Sequence, residues 1–74
     1  MPGGMADELL LTVNGEPRRI APGSSIADLV ASLGLDPKKV AVERNAEIAP
    51  RSTLAEVILA DGDVLEIVHF VGGG

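Results

Sequence analysis

Seventy-four residues with 6 Lys+Arg, 11 Asp+Glu, one His, one Phe and no Cys, Trp or Tyr leave room for one small domain. A formal net charge of −5 excludes the clustered cations that phosphate neutralisation needs, and the lack of rings removes a base-stacking surface, so no nucleic-acid partner is expected. Without cysteine there is no disulfide, no thiolate nucleophile and no Cys-based metal site, which suits a reducing compartment.

Met1–Asp7 lacks the basic and apolar regions of a signal peptide, and no apolar run approaches the roughly 20 residues of a membrane helix. The expectation is therefore a cytoplasmic chain with no membrane partner. Residues 1–7 read as a flexible leader in which both Met1 and Met5 are eligible starts. The apolar share of 46% is almost wholly Leu, Ile, Val and Ala, so the core must be aliphatic. A domain of this size buries only about 60% of its unfolded surface, and its packing has to be tight.

In chain order, Leu9–Val13, the tight-turn pair Asn14-Gly15 and Glu16–Ile20 predict a β-hairpin. Pro22-Gly23 ends it, and Ser25 with Asp28 three residues on forms a capping box ahead of a helix of about ten residues. Ile26, Leu29, Val30 and Leu33 lie on one stripe of that helix, and Gly34 stands where a left-handed terminating residue belongs. Asp36-Pro37 is a turn, Val40–Arg44 a third strand, Asn45-Ala46 a turn and Glu47–Ala49 a short fourth strand. Pro50–Thr53 is expected to cap one helical turn at Leu54–Val57. Asp61-Gly62-Asp63 is a turn that launches the longest strand, Val64–Val71. On it Leu65 and Ile67 should face the helix, while Glu66, Val68 and Phe70 should face away. This order predicts an α+β domain, a mixed sheet of four to five strands with one main helix packed across it, over residues 8–71.

A search for catalytic chemistry in the sequence yields little. His69 lies on the last strand with no Ser-Asp framework around it, and Asp61 and Asp63 flank a glycine as turn residues do. The glycines at 3–4 and 72–74 open no helix, so neither run resembles a phosphate loop. The run Gly72-Gly73-Gly74 has two readings. One is a frayed end. The other is a flexible tail without Cβ atoms that threads a channel too narrow for side chains and delivers a carboxylate to a partner's active site. A carboxylate is a poor electrophile, so that second reading requires an ATP-using partner to make an acyl-adenylate.

Asn14-Gly15, the segment Ser25–Leu33, Val40–Glu43, Pro50-Arg51-Ser52 and above all Leu59–Gly74 resemble the thiamine-biosynthesis sulfur carrier family, ThiS, over about residues 9–74. The most specific part is the combination of the Asp-Gly-Asp turn, Glu66-Ile67-Val68 and the closing diglycine. The resemblance implies a ubiquitin-like β-grasp fold and a protein cosubstrate with no bound cofactor, monomeric when free, and not an enzyme. It further implies that Gly74 is adenylylated by a ThiF-type enzyme with MgATP, becomes a thiocarboxylate, and gives its sulfur to thiazole synthase, ThiG. Gly74 matches the activated glycine, Gly73 its diglycine partner, and Gly72 extends the tail. Val68 and Phe70 are docking candidates. Two departures stand out: relatives often carry an aromatic near Leu54 and an apolar residue at the position of Arg44. Three alternatives share this pattern: a molybdopterin-synthase small subunit, a non-covalent β-grasp interaction module and a protein-modifying tag.

Overall fold

A computed structural model of the chain describes residues 8–70. The leader over 1–7, Val71 and the glycine tail at 72–74 lie outside the described residues.

Five strands and one helix form in the expected order: β1 (Leu9–Val13), β2 (Glu16–Ile20), α1 (Ile26–Ser32), β3 (Val40–Arg44), β4 (Glu47–Ala49) and β5 (Val64–His69). The β1–β2 hairpin closes through Asn14 and Gly15 at φ of 51° and 84°. Both torsions are positive, as the turn whose twist matches a right-handed strand pair demands. Asn45 and Ala46, at φ of 52° and 71°, make the same kind of turn between β3 and β4, here with an alanine in a region that suits glycine.

Helix α1 opens on the anticipated capping box. The Asp28 amide donates to Ser25 Oγ at 3.1 Å, and the Ser25 amide donates to Asp28 Oδ2 at 2.9 Å. The helix runs 7 residues, shorter than the ten expected. Its end is set by hydrogen bonding and not by the apolar stripe: Leu33 already bonds back to Val30 and Leu29, the Gly34 amide reaches Ala31 O, and the Leu35 amide reaches Val30 O. With Gly34 at φ 80°, this closes a Schellman motif and folds Leu35 back onto the core.

The sheet order is β2-β1-β5-β3-β4, with β1 and β5 parallel and every other pair antiparallel. One face packs on α1. Leu11, Val13, Val40, Val42, Leu65 and Ile67 from the sheet meet Ile26, Leu29 and Val30 from the helix, with Leu54 and Leu59 closing the side. Leu33 joins only as a partly buried neighbour. The departure at Leu54 thus costs the core no cover, since that leucine is 2% exposed.

Of two local features, the expected turn at Asp36-Pro37 is observed and the expected helical turn at Leu54–Val57 is displaced. Lys38 and Lys39 form a single 3-10 turn with Pro37, capped where Asp36 Oδ1 accepts from the Lys38 amide at 2.9 Å. The helical turn predicted over Leu54–Val57 begins three residues earlier, at Arg51–Thr53. Pro50 supplies a preset φ of −57°, its carbonyl accepts from both the Thr53 amide and the Thr53 hydroxyl, and Thr53 O then accepts from Glu56 and Val57. The amides of Ile26 and Ala27 donate to Val57 O and Leu54 O, tying this loop to the start of α1.

Candidate functional site

In the sequence, β5 is followed by Phe70, Val71 and the glycine run, so the site begins with what holds that strand. It occupies the centre of the sheet, parallel to β1 through Thr12–Val64 and Val13–Leu65 and antiparallel to β3 through five register pairs from Val40–His69 to Arg44–Leu65. One further bond, from the Phe70 amide to Lys39 O at 2.9 Å, carries the pairing past the strand's end.

Side chains extend both ladders where backbone runs out. Beyond Val13 the chain turns away, and the Asn14 amide group takes over: its Oδ1 accepts from the Ile67 amide at 2.8 Å and its Nδ2 donates to Ile67 O at 3.2 Å. A primary amide has the same donor and acceptor pair as a peptide and so imitates the next residue of a strand. Asn45 extends the other ladder differently: its side-chain Oδ1 accepts from the Val64 amide at 2.9 Å while its backbone amide donates to Val64 O at 2.7 Å.

Asp63, immediately before β5, is 5% exposed and saturated with donors. Its Oδ2 accepts from Arg44 Nε and from the Ala60 amide, both at 2.9 Å, and its Oδ1 accepts from Asn45 Nδ2 at 3.0 Å. Burial pushes this carboxyl upward, but the bonds from Ala60, Asn45 and Arg44 and the Arg44 charge outweigh it and hold the pKa below 3.8. Asp61 has a different task, its Oδ1 accepting from the Leu10 amide at 2.8 Å. The Asp-Gly-Asp turn is therefore structural, and Arg44 finds its reason in the ion pair. Sequence reasoning took Arg44 only as a departure; nothing local in Val40–Arg44 points to Asp63 nineteen residues away.

The expected strand faces are observed. Leu65 and Ile67 are buried, while Glu66, Val68 and Phe70 project from the other side, Val68 at 60% and Phe70 at 47% exposed. His69 sits exposed at the end of the ladder. Among the described residues no three His, Cys, Asp or Glu side chains are gathered to hold a metal ion. A broad concavity of about 610 Å³ lies along the edge strand β2 beside Leu10, Pro17 and Arg19, at the far edge of the sheet from β3 and β4. Gly72, Gly73 and Gly74 lie beyond the described residues.

A central parallel pair of strands, a single helix laid across one face and a last strand that leads into a glycine run define a ubiquitin-like β-grasp protein. The profile of the ThiS family matches residues 11–74. The crystal structure of the thiamine biosynthesis protein ThiS from Geobacter metallireducens superposes with a TM-score of 0.74 at 33% identity, covering 89% of this chain and 100% of that one. The sulfur carrier protein ThiS of Bacillus subtilis is 58% identical over 50 residues, 68% of this chain and 76% of its own length. A thiazole synthase of Paramagnetospirillum magneticum is 52% identical over 64 residues, which are 86% of this chain but only 20% of that protein. This chain belongs to the ThiS family.

Proposed function

We propose that the chain is a sulfur carrier in thiamine biosynthesis, a protein cosubstrate and not a catalyst. The Gly74 carboxylate attacks the α-phosphate of MgATP on a ThiF-type enzyme, pyrophosphate leaves, and a sulfur nucleophile then displaces AMP to give a thiocarboxylate. Thiazole synthase, ThiG, consumes that sulfur in forming the thiazole ring. The observation that carries this reading is the family match running through Gly72-Gly73-Gly74, downstream of a strand held by Asn14, Asn45 and Asp63. A β5 tied to both neighbouring strands serves such a role because it fixes the direction in which the chain leaves the sheet toward its terminal glycines. Val68 and Phe70 would dock against those partners. The work would take place in the cytoplasm, where activating enzyme and ATP are at hand, with the carrier monomeric between encounters.

Support also comes from the Paramagnetospirillum protein, a longer polypeptide named thiazole synthase in which 20% of the length is similar to this chain. The test is the intact mass after incubation with the ThiF-type enzyme, MgATP and sulfide. A gain matching replacement of one oxygen by sulfur, mapped to Gly74, is expected. Deleting Gly74 should leave the melting temperature unchanged and abolish that gain. Sulfur loading of the truncated chain, or none on the intact chain while the enzyme loads another carrier, would overturn the mechanism.

A further inference from the structure

The face of the sheet opposite α1 carries two carboxylates placed directly across from each other. Glu43 of β3 and Glu66 of β5 are register partners, and Ile48 of β4 is the partner of Glu43 on its other side. The row Ile48–Glu43–Glu66 thus crosses three strands, and Ala41 opposite Val68 forms the next row. Facing residues in an antiparallel pair have Cβ atoms about 5 Å apart, close enough for like charges to disfavour the pairing. Among the described residues the single ion pair joins Arg44 to Asp63, so neither glutamate is held in an ion pair there.

The surroundings are apolar and exposed, Ile48 at 78% and Val68 at 60%. Ala41, Val42, Glu43, Ile48, Glu66 and Val68 together line a groove of about 160 Å³. That is well under the roughly 300 to 1,000 Å³ of pockets built for small ligands, and it suits one side chain.

The charge pattern selects the occupant. A second copy stacked on this face would bring four carboxylates together, and an anionic surface would be repelled in the same way. A neutral apolar surface would strip water from both glutamates and offer nothing in return. A basic side chain meets both demands, its head between the carboxylates and its methylene stem lying on Ile48 and Val68. Resting on the carrier reading above, we propose that this groove receives an arginine or lysine projecting from thiazole synthase, the partner whose named relative holds a similar domain in the same chain.

The test uses the full chain and purified thiazole synthase from the same organism, with calorimetric titration at about 50 and about 300 mM salt. The double variant Glu43→Gln/Glu66→Gln should melt at or above the temperature of the parent, because repulsion is relieved. It should bind thiazole synthase roughly tenfold more weakly and lose most of the salt dependence. Ile48→Ser should weaken binding while keeping the salt dependence, and Glu16→Gln, on β2, should change neither. Unaltered affinity and salt dependence in the double variant overturn the proposal, as does a parent chain that fails to bind or that dimerises through this face. Sulfur loading of Gly74 by the adenylating enzyme is read separately, so the carrier reading stands or falls on its own.

Discussion

Asp63→Asn tests whether a buried charge, and not merely a turn of the right shape, holds the start of β5. The side chain keeps its volume but exchanges one acceptor oxygen for a donor. With the new NH2 at the Oδ2 position it would face Arg44 Nε and the Ala60 amide; at Oδ1 it would face Asn45 Nδ2, whose own oxygen is committed to Val64. The second placement costs less, leaving one donor pair unsatisfied, the Ala60 bond reduced to a neutral one and the Arg44 bond charged on one side only. A stranded buried donor costs about 1 to 3 kcal/mol, while the Arg44 pair adds little because its side chain is 34% exposed. The expected loss is about 2 to 3 kcal/mol, a large share of the roughly 4 to 11 kcal/mol available to a domain of this length.

Urea denaturation at pH 7 should show that loss as a lower midpoint with an unchanged slope, and heating should show a melting temperature about 10 to 20 °C lower. The pH dependence has a definite sign. The folded pKa of Asp63 lies below its ordinary 3.8, so the contribution of ionisation is complete well above that value and is lost as the pH falls through the lowered folded value. The gap between parent and variant should therefore narrow toward pH 2 to 3, although other carboxylates titrate in both proteins. A gap under about 0.5 kcal/mol at neutral pH, or one that stays constant down to pH 2, would refute the reasoning.

Ile67→Ala should cost about 2 to 4 kcal/mol in the same assay, since this side chain is 7% exposed against α1, whereas Val68→Ser one residue on should cost less than about 0.5 kcal/mol. Equal effects would mean that β5 presents no distinct inner and outer faces. Ala46→Gly should stabilise by up to about 1 kcal/mol, because relief of an alanine at φ 71° exceeds the added freedom of the unfolded chain. A loss of stability there would show that the β3–β4 turn is not strained.

Local rules carried much of this molecule. The Asn14-Gly15 turn, the Ser25–Asp28 capping box and the alternation along Val64–His69 each depend on residues within one turn or one strand, and each appears where its pattern lies. Where local rules competed, the reading slipped. The apolar stripe through Leu33 favoured a longer helix, but backbone bonding from Gly34 and Leu35 ended it at Ser32. Pro50 and the Thr53 hydroxyl moved a helical turn forward to Arg51.

By itself the sequence determined a single aliphatic α+β domain, the inward face of β5 and the family resemblance, because periodicity, turn chemistry and motif spacing are properties of neighbouring residues. Only the tertiary structure decided that β5 lies between β1 and β3, that Asn14 and Asn45 lengthen its two ladders, and that Arg44 and Asp63 are one ion pair. It likewise decided that Glu43 and Glu66 face each other across a groove. These contacts join residues far apart in the chain, and strand order together with register, which no local pattern encodes, settles which distant side chains meet.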